Sequence, residues 1–423
     1  MKYMQILKGK KILLGVTGSI SIYKSIELLR LFVKSGAKVK IIMTQSAKRF
    51  ISPLTFEAAG SEKVLDENSE DWTTKNNHIG VCEDYDILVI APATANTLNK
   101  LSNGIADNLL LQTALAFAKP KILAPAANTN MYKNNFTQAS LKLLKLNGYK
   151  IVEPQTKELA CKTVGEGALA EVKTIFYETA RELLKDSFWE DRYTIITGSG
   201  TVEKIDDVRY LSNFSSGKQA RALVIALYLK GAKVEFITTK DFDDLPPVEV
   251  FKVQSAEQMY EYLKERIEVA KKGVLKKPDL INDLSTPKLI HKKPYLFMAA
   301  AVSDYKPKFP QEGKLKKEML GEEWCLELTK NIDILQTLNK DGIVAIGFKA
   351  ETDEDKALQN AKNMLEKKDL DAVCLNLVKG ATKFGSDKNS IVYISKKRTF
   401  QSPLKDKLEL SLDISEIVKE LDE

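Results

Sequence analysis

The residues whose types and settings could carry chemistry in this 423-residue chain include its two histidines, its four cysteines and a few asparagines and lysines in short polar loops. His78 stands in TTKNNHIGV, just ahead of an apolar run. An imidazole titrates near neutral pH and moves a proton in either direction, so His78 is a candidate base. A surface histidine in a loop is the plain alternative. Asn128 follows an apolar run in KILAPAANTNMY, and Cys161 sits in the glycine-containing stretch ELACKTVGEGALAE. Of the cysteines, Cys161 is the one whose surroundings suggest exposure, whereas Cys82 and Cys374 adjoin apolar runs and read as core fillers. Further on, Asn213 lies in VEKIDDVRYLSNFSSGKQA and Asp304 ends the run LFMAAAVSDYKP. Lys314, Lys316 and Lys317 cluster in KLKK. Such a cluster is either a solvated strand edge or a clamp for a nucleoside triphosphate and its Mg2+.

These residues need a scaffold, and the chain builds the same one twice. KILLGV reads as a strand, TGS (Thr17 to Ser19) as a turn, and ISIYKSIELLRLFVKSGA as a helix with Ile26, Leu29 and Val33 at helical spacing. The strand VKIIMT follows. The second half repeats the plan with YTIITGSG, the helix QARALVIALYLKGA and the strand VEFITT. Both helices leave through GAKV or its counterpart at Gly231, and glycine suits a helix C-terminus because it accepts positive φ. The spacing predicts an α/β protein of two tandem Rossmann-like, doubly wound domains with mostly parallel sheets. Their boundary is expected between Lys185 and Asp191, giving domains 1–188 and 189–423. KLKK and WCLELTK, either side of Gly321, read as a β-hairpin.

Both glycine turns suit a phosphate, because free N–H groups and the helix dipole converge there. A tight turn that only packs helix on sheet is the competing reading. Neither is a dinucleotide fingerprint. GSGTVE has Glu203 in place of the third glycine, and the following strands end at Thr44 and at Thr238–Thr239, not at an acid that would grip a ribose diol. A nicotinamide oxidoreductase is thereby disfavoured.

Composition excludes several other classes. The net charge of +7 arises from lysines spread along the chain beside nearly as many acids, unlike the clustered face of a nucleic-acid binder. It is compatible with anionic small substrates. Cysteines without CxxC spacing and two isolated histidines make no zinc site. Four scattered cysteines point to a reducing compartment. No apolar run approaches the ~20 residues a membrane span needs, and the N-terminus carries no cleavage signal, so a cytoplasmic protein is expected.

Taken together and in order, GVTGSISIYK, NHIG, APATANTLNKLSNGIADNLL, PAANTNMY and ACKTVGEG resemble the flavin-dependent cysteine decarboxylases. More closely, they resemble the N-terminal half of the bacterial bifunctional phosphopantothenoylcysteine decarboxylase/phosphopantothenate–cysteine ligase family of coenzyme A biosynthesis. TGSGTVEKIDDVRYLSNFSSGK, AAAVSDYKPK, GKLKK, TKNIDIL and IGFKAET resemble its ligase half. For the first half the resemblance implies FMN held around Gly18, Ser19, Thr44 and Ser46, with Thr94 and Thr97 near the flavin. It implies oxidation of the substrate thiol to a thioaldehyde, loss of CO2, and return of the electrons. His78 would assist the proton movements, Asn128 would hold the substrate carboxylate, and Cys161 would supply the final proton.

For the second half the resemblance implies a CTP-dependent ligation of 4′-phosphopantothenate with cysteine through an acyl-cytidylate. Lys314 would neutralise charge as the cytidylate forms, and Asn213 would position it for cysteine. Met298, Ala299, Ala300, Asp304, Asn331, Asp333 and Phe348 would line the CTP site, with Lys362 and Lys368 as further contacts and Mg2+ arriving with the nucleotide. The family further implies a homo-oligomer, trimer-based through the decarboxylase half and dimeric through the ligase half. Departures are Ala127 where methionine is usual, Lys162 after the cysteine, and a longer lysine-rich segment over 271–295, in which His291 reads as a bystander. A non-catalytic flavin-binding regulator, and a decarboxylase of another cysteine-containing substrate, are the alternatives.

Overall fold

The computed structural model describes residues 5–158, 164–276, 287–379 and 385–422. Cys161 and residues 277–286 of the lysine-rich segment lie outside them. The chain divides principally between Leu184 and Lys185 into two compact units. Among the described residues, no helix is long and apolar enough to cross a membrane.

The first unit is built on five parallel strands: β1 (Lys11–Val16), β2 (Lys38–Met43), β3 (Ile87–Ala93), β4 (Lys121–Pro125) and β5 (Tyr149–Ile151). Their order across the sheet is β2-β1-β3-β4-β5. All seven residues of β3 are buried, as expected for a strand covered on both faces. The helix Tyr23–Lys34 turns Ser25, Leu28, Leu29 and Phe32 inward. The period is the one the sequence predicts, but the stripe sits slightly off Ile26 and Val33, which are only partly buried. The helix stops where expected. Gly36 takes φ +92°, its N–H reaches Val33 and the Ala37 N–H reaches Phe32, a Schellman closure.

The second unit carries eight strands ordered 249–252, 233–238, 193–198, 295–298, 344–351, 372–377, 391–395 and 399–401. The first six are parallel, and the last two are added through antiparallel pairings. Helix Lys218–Leu229 is buried nearly all round, with Ala222 to Leu229 all inside. A helix apolar on every side must be covered on every side. The strand Tyr193–Gly198 covers one face, and the C-terminal helix Lys407–Ile417 covers another. Its exit repeats the first unit, with Gly231 at φ +100° and the Ala232 N–H on Leu227.

Both sheets reverse direction beside their first strand. In the first unit the switch lies between β1 and β3, and in the second between the strands 193–198 and 295–298. At such a point neighbouring connections leave on opposite faces, so a crevice opens beyond the strand C-termini.

The hairpin expected around Gly321 does not form. Lys317–Leu320 is a helical turn, and Leu328–Lys330 pairs instead with Tyr305–Pro307. The alternation in WCLELTK does mark a strand, but its partner lies upstream. Within KLKK, the Leu315 N–H is held by Asp206 from another loop.

Candidate active sites

At the switch point of the first sheet, Thr17 ties two strand ends together. Its Oγ1 donates to the Pro92 carbonyl at 2.7 Å and accepts from the Thr94 N–H at 3.2 Å. Ser19 caps the next helical turn through the Ser21 N–H. Between them Gly18 has no space for a side chain. A Cβ there would stand 2.7 Å from Ser46 Cβ and 3.0 Å from the Ser46 carbonyl carbon. The loops after β1 and β2 therefore touch at Gly18 and Ser46. Thr44 Oγ1 accepts from the Ala47 N–H, fixing the second loop. Thr94 caps the helix Ala95–Ser102, with its hydroxyl 3.0 Å from that of Thr97. All six residues predicted to hold a cofactor stand at the C-terminal edge of β1, β2 and β3.

His78 comes from the segment between β2 and the short helix Gly80–Asp84. Its Nδ1 lies 2.8 Å from Glu70 Oε1, which also accepts the His78 backbone N–H. An ionised carboxylate only accepts, so this contact places the proton on Nδ1 and leaves the Nε2 lone pair available. Trp72 meets the ring edge-on, with centroids 5.2 Å apart. The His78 and Glu70 side chains are 21% and 20% exposed, open enough for a substrate yet held in one orientation. Cys82 donates its thiol to the His78 carbonyl. Burial pushes that thiol up to about 11, so it stays protonated at neutral pH and is no nucleophile.

Asn128 caps the helix Thr129–Lys133, with its side chain accepting from the Asn130 N–H at 2.9 Å. The strand Val164–Ala168 crosses this turn closely. Ala127 donates its N–H to the Gly167 carbonyl at 2.9 Å. A Cβ on Gly167, which sits at φ +123°, would fall 2.3 Å from the Ala127 oxygen, and one on Gly165 would fall 2.2 Å from Thr129 Oγ1. The two glycines of VGEG are thus what lets this strand lie on the Asn128 turn. Thr129 Oγ1 is buried without a partner among the described residues.

In the second unit, helix Lys218–Leu229 starts at Gly217, whose φ is +69°. A Cβ there would stand 2.5 Å from Ser199 Oγ, so the SSG turn presses on the end of the strand Tyr193–Gly198. The helix N-terminus faces a cavity of about 170 Å³ lined by Ser216, Lys218, Ala300, Phe348, Asn376 and Lys407, among others. Lys218 Nζ reaches the Gly385 carbonyl and Asp387, and Lys407 Nζ reaches the Ser386 carbonyl. Burial and the neighbouring Lys218 cation lower the Lys407 pKa. The Asn376 Oδ1 is buried without a partner among the described residues.

Other predicted residues surround this cavity unevenly. Ala299, Ala300 and Phe348 line it, and Met298 lies beneath, its sulfur accepting from Thr197. Asn331 donates its N–H to the Asp304 carbonyl, while its Nδ2 is buried without a partner among the described residues. Asp333 caps the turn Ile334–Thr337 and pairs with Lys368 at 2.9 Å. Lys362 is exposed on the helix Glu354–Lys367 and does not line the cavity. Asn213 donates its Nδ2 to the Val302 carbonyl at 2.9 Å. A Cβ on Gly200 would lie 2.6 Å from the Asn213 oxygen. Lys314 is exposed on a loop whose neighbours Gly313 and Leu315 bond to Asp207 and Asp206. Glu70, Lys407 and Asn376 were not singled out by sequence reasoning. Lys407 and Asn376 reach the cavity by tertiary contact alone, and Glu70 reaches His78 from eight residues upstream in the same segment.

Two family models match the chain. The one described as Flavoprotein covers residues 2–184. The one described as DNA/pantothenate metabolism flavoprotein C-terminal domain covers residues 189–276 and 285–421. The coenzyme A biosynthesis bifunctional protein CoaBC of Borreliella burgdorferi is 33% identical over 97% of this chain and 99% of its own length. That of Bacillus subtilis is 34% identical over 96% of each. Among solved structures, the C-terminal domain of a coenzyme A biosynthesis bifunctional protein CoaBC is 25% identical, covering 56% of this chain and 98% of its own, with a TM-score of 0.42.

Proposed function

We infer the chemistry of each half from one premise: the chain belongs to the family of coenzyme A biosynthesis bifunctional proteins CoaBC. It is a bifunctional enzyme with phosphopantothenoylcysteine decarboxylase and phosphopantothenate–cysteine ligase activities. We assign the decarboxylase to residues 1–188 and the ligase to residues 189–423. The product of the second half is then the substrate of the first. One observation supports this assignment to residues: the six residues proposed for the flavin follow the C-terminal ends of β1, β2 and β3, and Ala299, Ala300 and Phe348 line a cavity at the corresponding edge of the second sheet.

The first half fits FMN. The Gly18 cradle, which a single Cβ would fill, and the hydroxyls of Ser19, Thr44, Thr94 and Thr97 suit a phosphate and a ribityl chain. When bound, FMN supplies a two-electron acceptor, so that the substrate thiol is oxidised before CO2 leaves and reduced again afterwards. His78 takes and returns protons through Nε2 while Glu70 holds its other nitrogen. Asn128 orients the substrate carboxylate, and Cys161 donates the last proton. Gly18→Val is expected to lower flavin retention about tenfold or more, because overpacking a rigid contact costs ~1–3 kcal/mol. Visible absorbance per chain after desalting reads this out. A variant that keeps its full flavin complement would remove Gly18 and Ser46 from the cofactor site.

The second half is proposed to use CTP. The cationic cavity at the helix N-terminus suits a polyphosphate. The orphaned Asn331 donor and Asn376 acceptor suit the polar groups of a nucleotide. The phosphopantothenate carboxylate attacks the α-phosphorus and releases pyrophosphate, with Lys314 offsetting the charge that builds there. Cysteine's amine then displaces CMP from the acyl carbon, which Asn213 positions. Mg2+ is expected to arrive with the nucleotide, since it binds through phosphates and only one or two carboxylates. A homo-oligomer is proposed from membership of the family alone. The compartment proposed is the cytoplasm.

The test is purified protein given 4′-phosphopantothenate, cysteine, Mg2+ and either CTP or ATP, with products followed by mass. A flavin spectrum and CTP-dependent 4′-phosphopantetheine are expected. A colourless protein that releases no pyrophosphate would leave only a binding or regulatory role for both sites.

A further inference from the structure

The turn Asp206–Arg209 grips the chain on both sides of Lys314. Asp206 Oδ1 accepts from the N–H groups of Val208 and Arg209, at 2.8 and 2.6 Å, and so closes its own turn. Its Oδ2 points the other way. It accepts from the Leu315 N–H at 3.2 Å and from Arg209 Nη1 at 3.0 Å. Arg209 Nη2 in turn donates to the Leu315 carbonyl at 3.3 Å. On the other flank, Asp207 Oδ2 accepts from the Gly313 N–H, and the Asp207 N–H donates to the Gly313 carbonyl. Both neighbours of Lys314 are therefore fixed, while Lys314 itself is exposed. The same segment runs on to Asn213 four residues after Arg209.

We propose that Asp206 is a positioning residue of the ligase half, holding the Lys314 loop to the segment that carries Asn213. This rests on the reading of Lys314 given above. A fully buried carboxylate with every contact satisfied is a rigid peg, and its side chain is 0% exposed. Burial alone would raise its pKa, but the amides of Val208, Arg209 and Leu315 and the Arg209 charge hold it below the ordinary carboxylate range. Its contribution is complete above that range and is lost only as the pH falls through the depressed value. The bracket is intact at neutral pH.

The two oxygens do different work, which makes the idea testable in the whole enzyme. In Asp206→Asn, the remaining oxygen can still close the local turn, while the new amide replaces the acceptor that Leu315 and Arg209 require. Pyrophosphate release from CTP and 4′-phosphopantothenate is expected to slow by about 10- to 100-fold, the range for a catalytic group displaced by about 1 Å. The loss should fall on kcat, with KM for CTP little changed, because no residue lining the cavity is touched. In a Lys314→Ala background the same substitution should have no further effect. Asp207→Ala, which removes the other flank at an exposed side chain, should give a smaller loss that also vanishes in that background.

An equal fractional loss from Asp206→Asn with and without Lys314 would overturn the proposal, as would a change confined to KM. Should Asp206→Asn unfold the unit, Asp207→Ala carries the same comparison alone, and additivity there would overturn it equally. Unimpaired pyrophosphate release by Lys314→Ala itself would reject the role of Lys314, and with it the bracket, an outcome distinct from additivity.

Discussion

Lys314→Ala is expected to slow pyrophosphate release by roughly 10²- to 10³-fold, the usual cost of removing one group aimed at developing charge. Attack of a carboxylate on the α-phosphorus of CTP, with the α–β anhydride breaking, brings two anions together, and the transition state gathers further charge on the phosphoryl oxygens. A lysine whose flanking peptides are pinned, and whose side chain is exposed, can meet that charge without reorganising its backbone. Lys314 lies outside the cavity lining, so nucleotide binding should be spared and the loss should appear in kcat. Lys314→Arg should recover part of the rate, since charge returns but the fork geometry differs. Decarboxylation of supplied 4′-phosphopantothenoylcysteine should continue at the wild-type rate. Rapid-quench measurement of pyrophosphate without cysteine isolates the step. Release at the wild-type rate would remove Lys314 from cytidylate formation.

The sequence was most informative where one residue type has one structural use. Glycine at Gly36 and Gly231 announces a helix end, and both positions do adopt positive φ there. Alternating apolar strands and amphipathic helices announce a parallel sheet, and repetition of the pattern announces two. Right-handed crossovers then set which face of the sheet each connecting helix covers. Local pattern fails where partners are distant. The strand in WCLELTK was legible, but nothing nearby distinguishes Tyr305–Pro307 from KLKK as its neighbour. The Leu315 N–H of KLKK is held by Asp206, and the preceding Gly313 by Asp207, both more than 100 residues upstream.

The same distance effect explains the residues that escaped notice. Lys407 and Lys218 converge on residues 385–387 although they are far apart in sequence. In isolation Lys407 is one lysine among many in the chain, at the start of the C-terminal helix Lys407–Ile417. The carboxylate of Asp206 lies in a stretch, KIDDVR, whose charges resemble an ordinary solvated loop. Only burial reveals it as fixed. Composition could not separate a peg from a surface acid, because both are written with the same residue.

His78→Asn is expected to lower decarboxylation by about 10²- to 10⁴-fold, the range associated with a positioned acid–base group. The imidazole has the requirements for that loss. Glu70 holds Nδ1 at 2.8 Å, which fixes the tautomer and leaves Nε2 as the only ring nitrogen with a free lone pair. Trp72 packs edge-on and limits rotation of the ring. Asparagine keeps a donor for Glu70 but cannot bind a proton near neutral pH, so the substitution removes proton transfer while sparing the local contact. Glu70→Gln should cost less, because the imidazole survives and loses only its orientation and the support of a neighbouring carboxylate. The flavin spectrum should be unchanged in both variants, since His78 comes from a different segment from the residues proposed to hold the cofactor. Ligation should be unchanged too, so 4′-phosphopantothenoylcysteine should accumulate when both substrates and CTP are supplied. A His78→Asn enzyme that decarboxylates at the parent rate would return the histidine to the role of a well-anchored loop residue, and would require another group to move the proton.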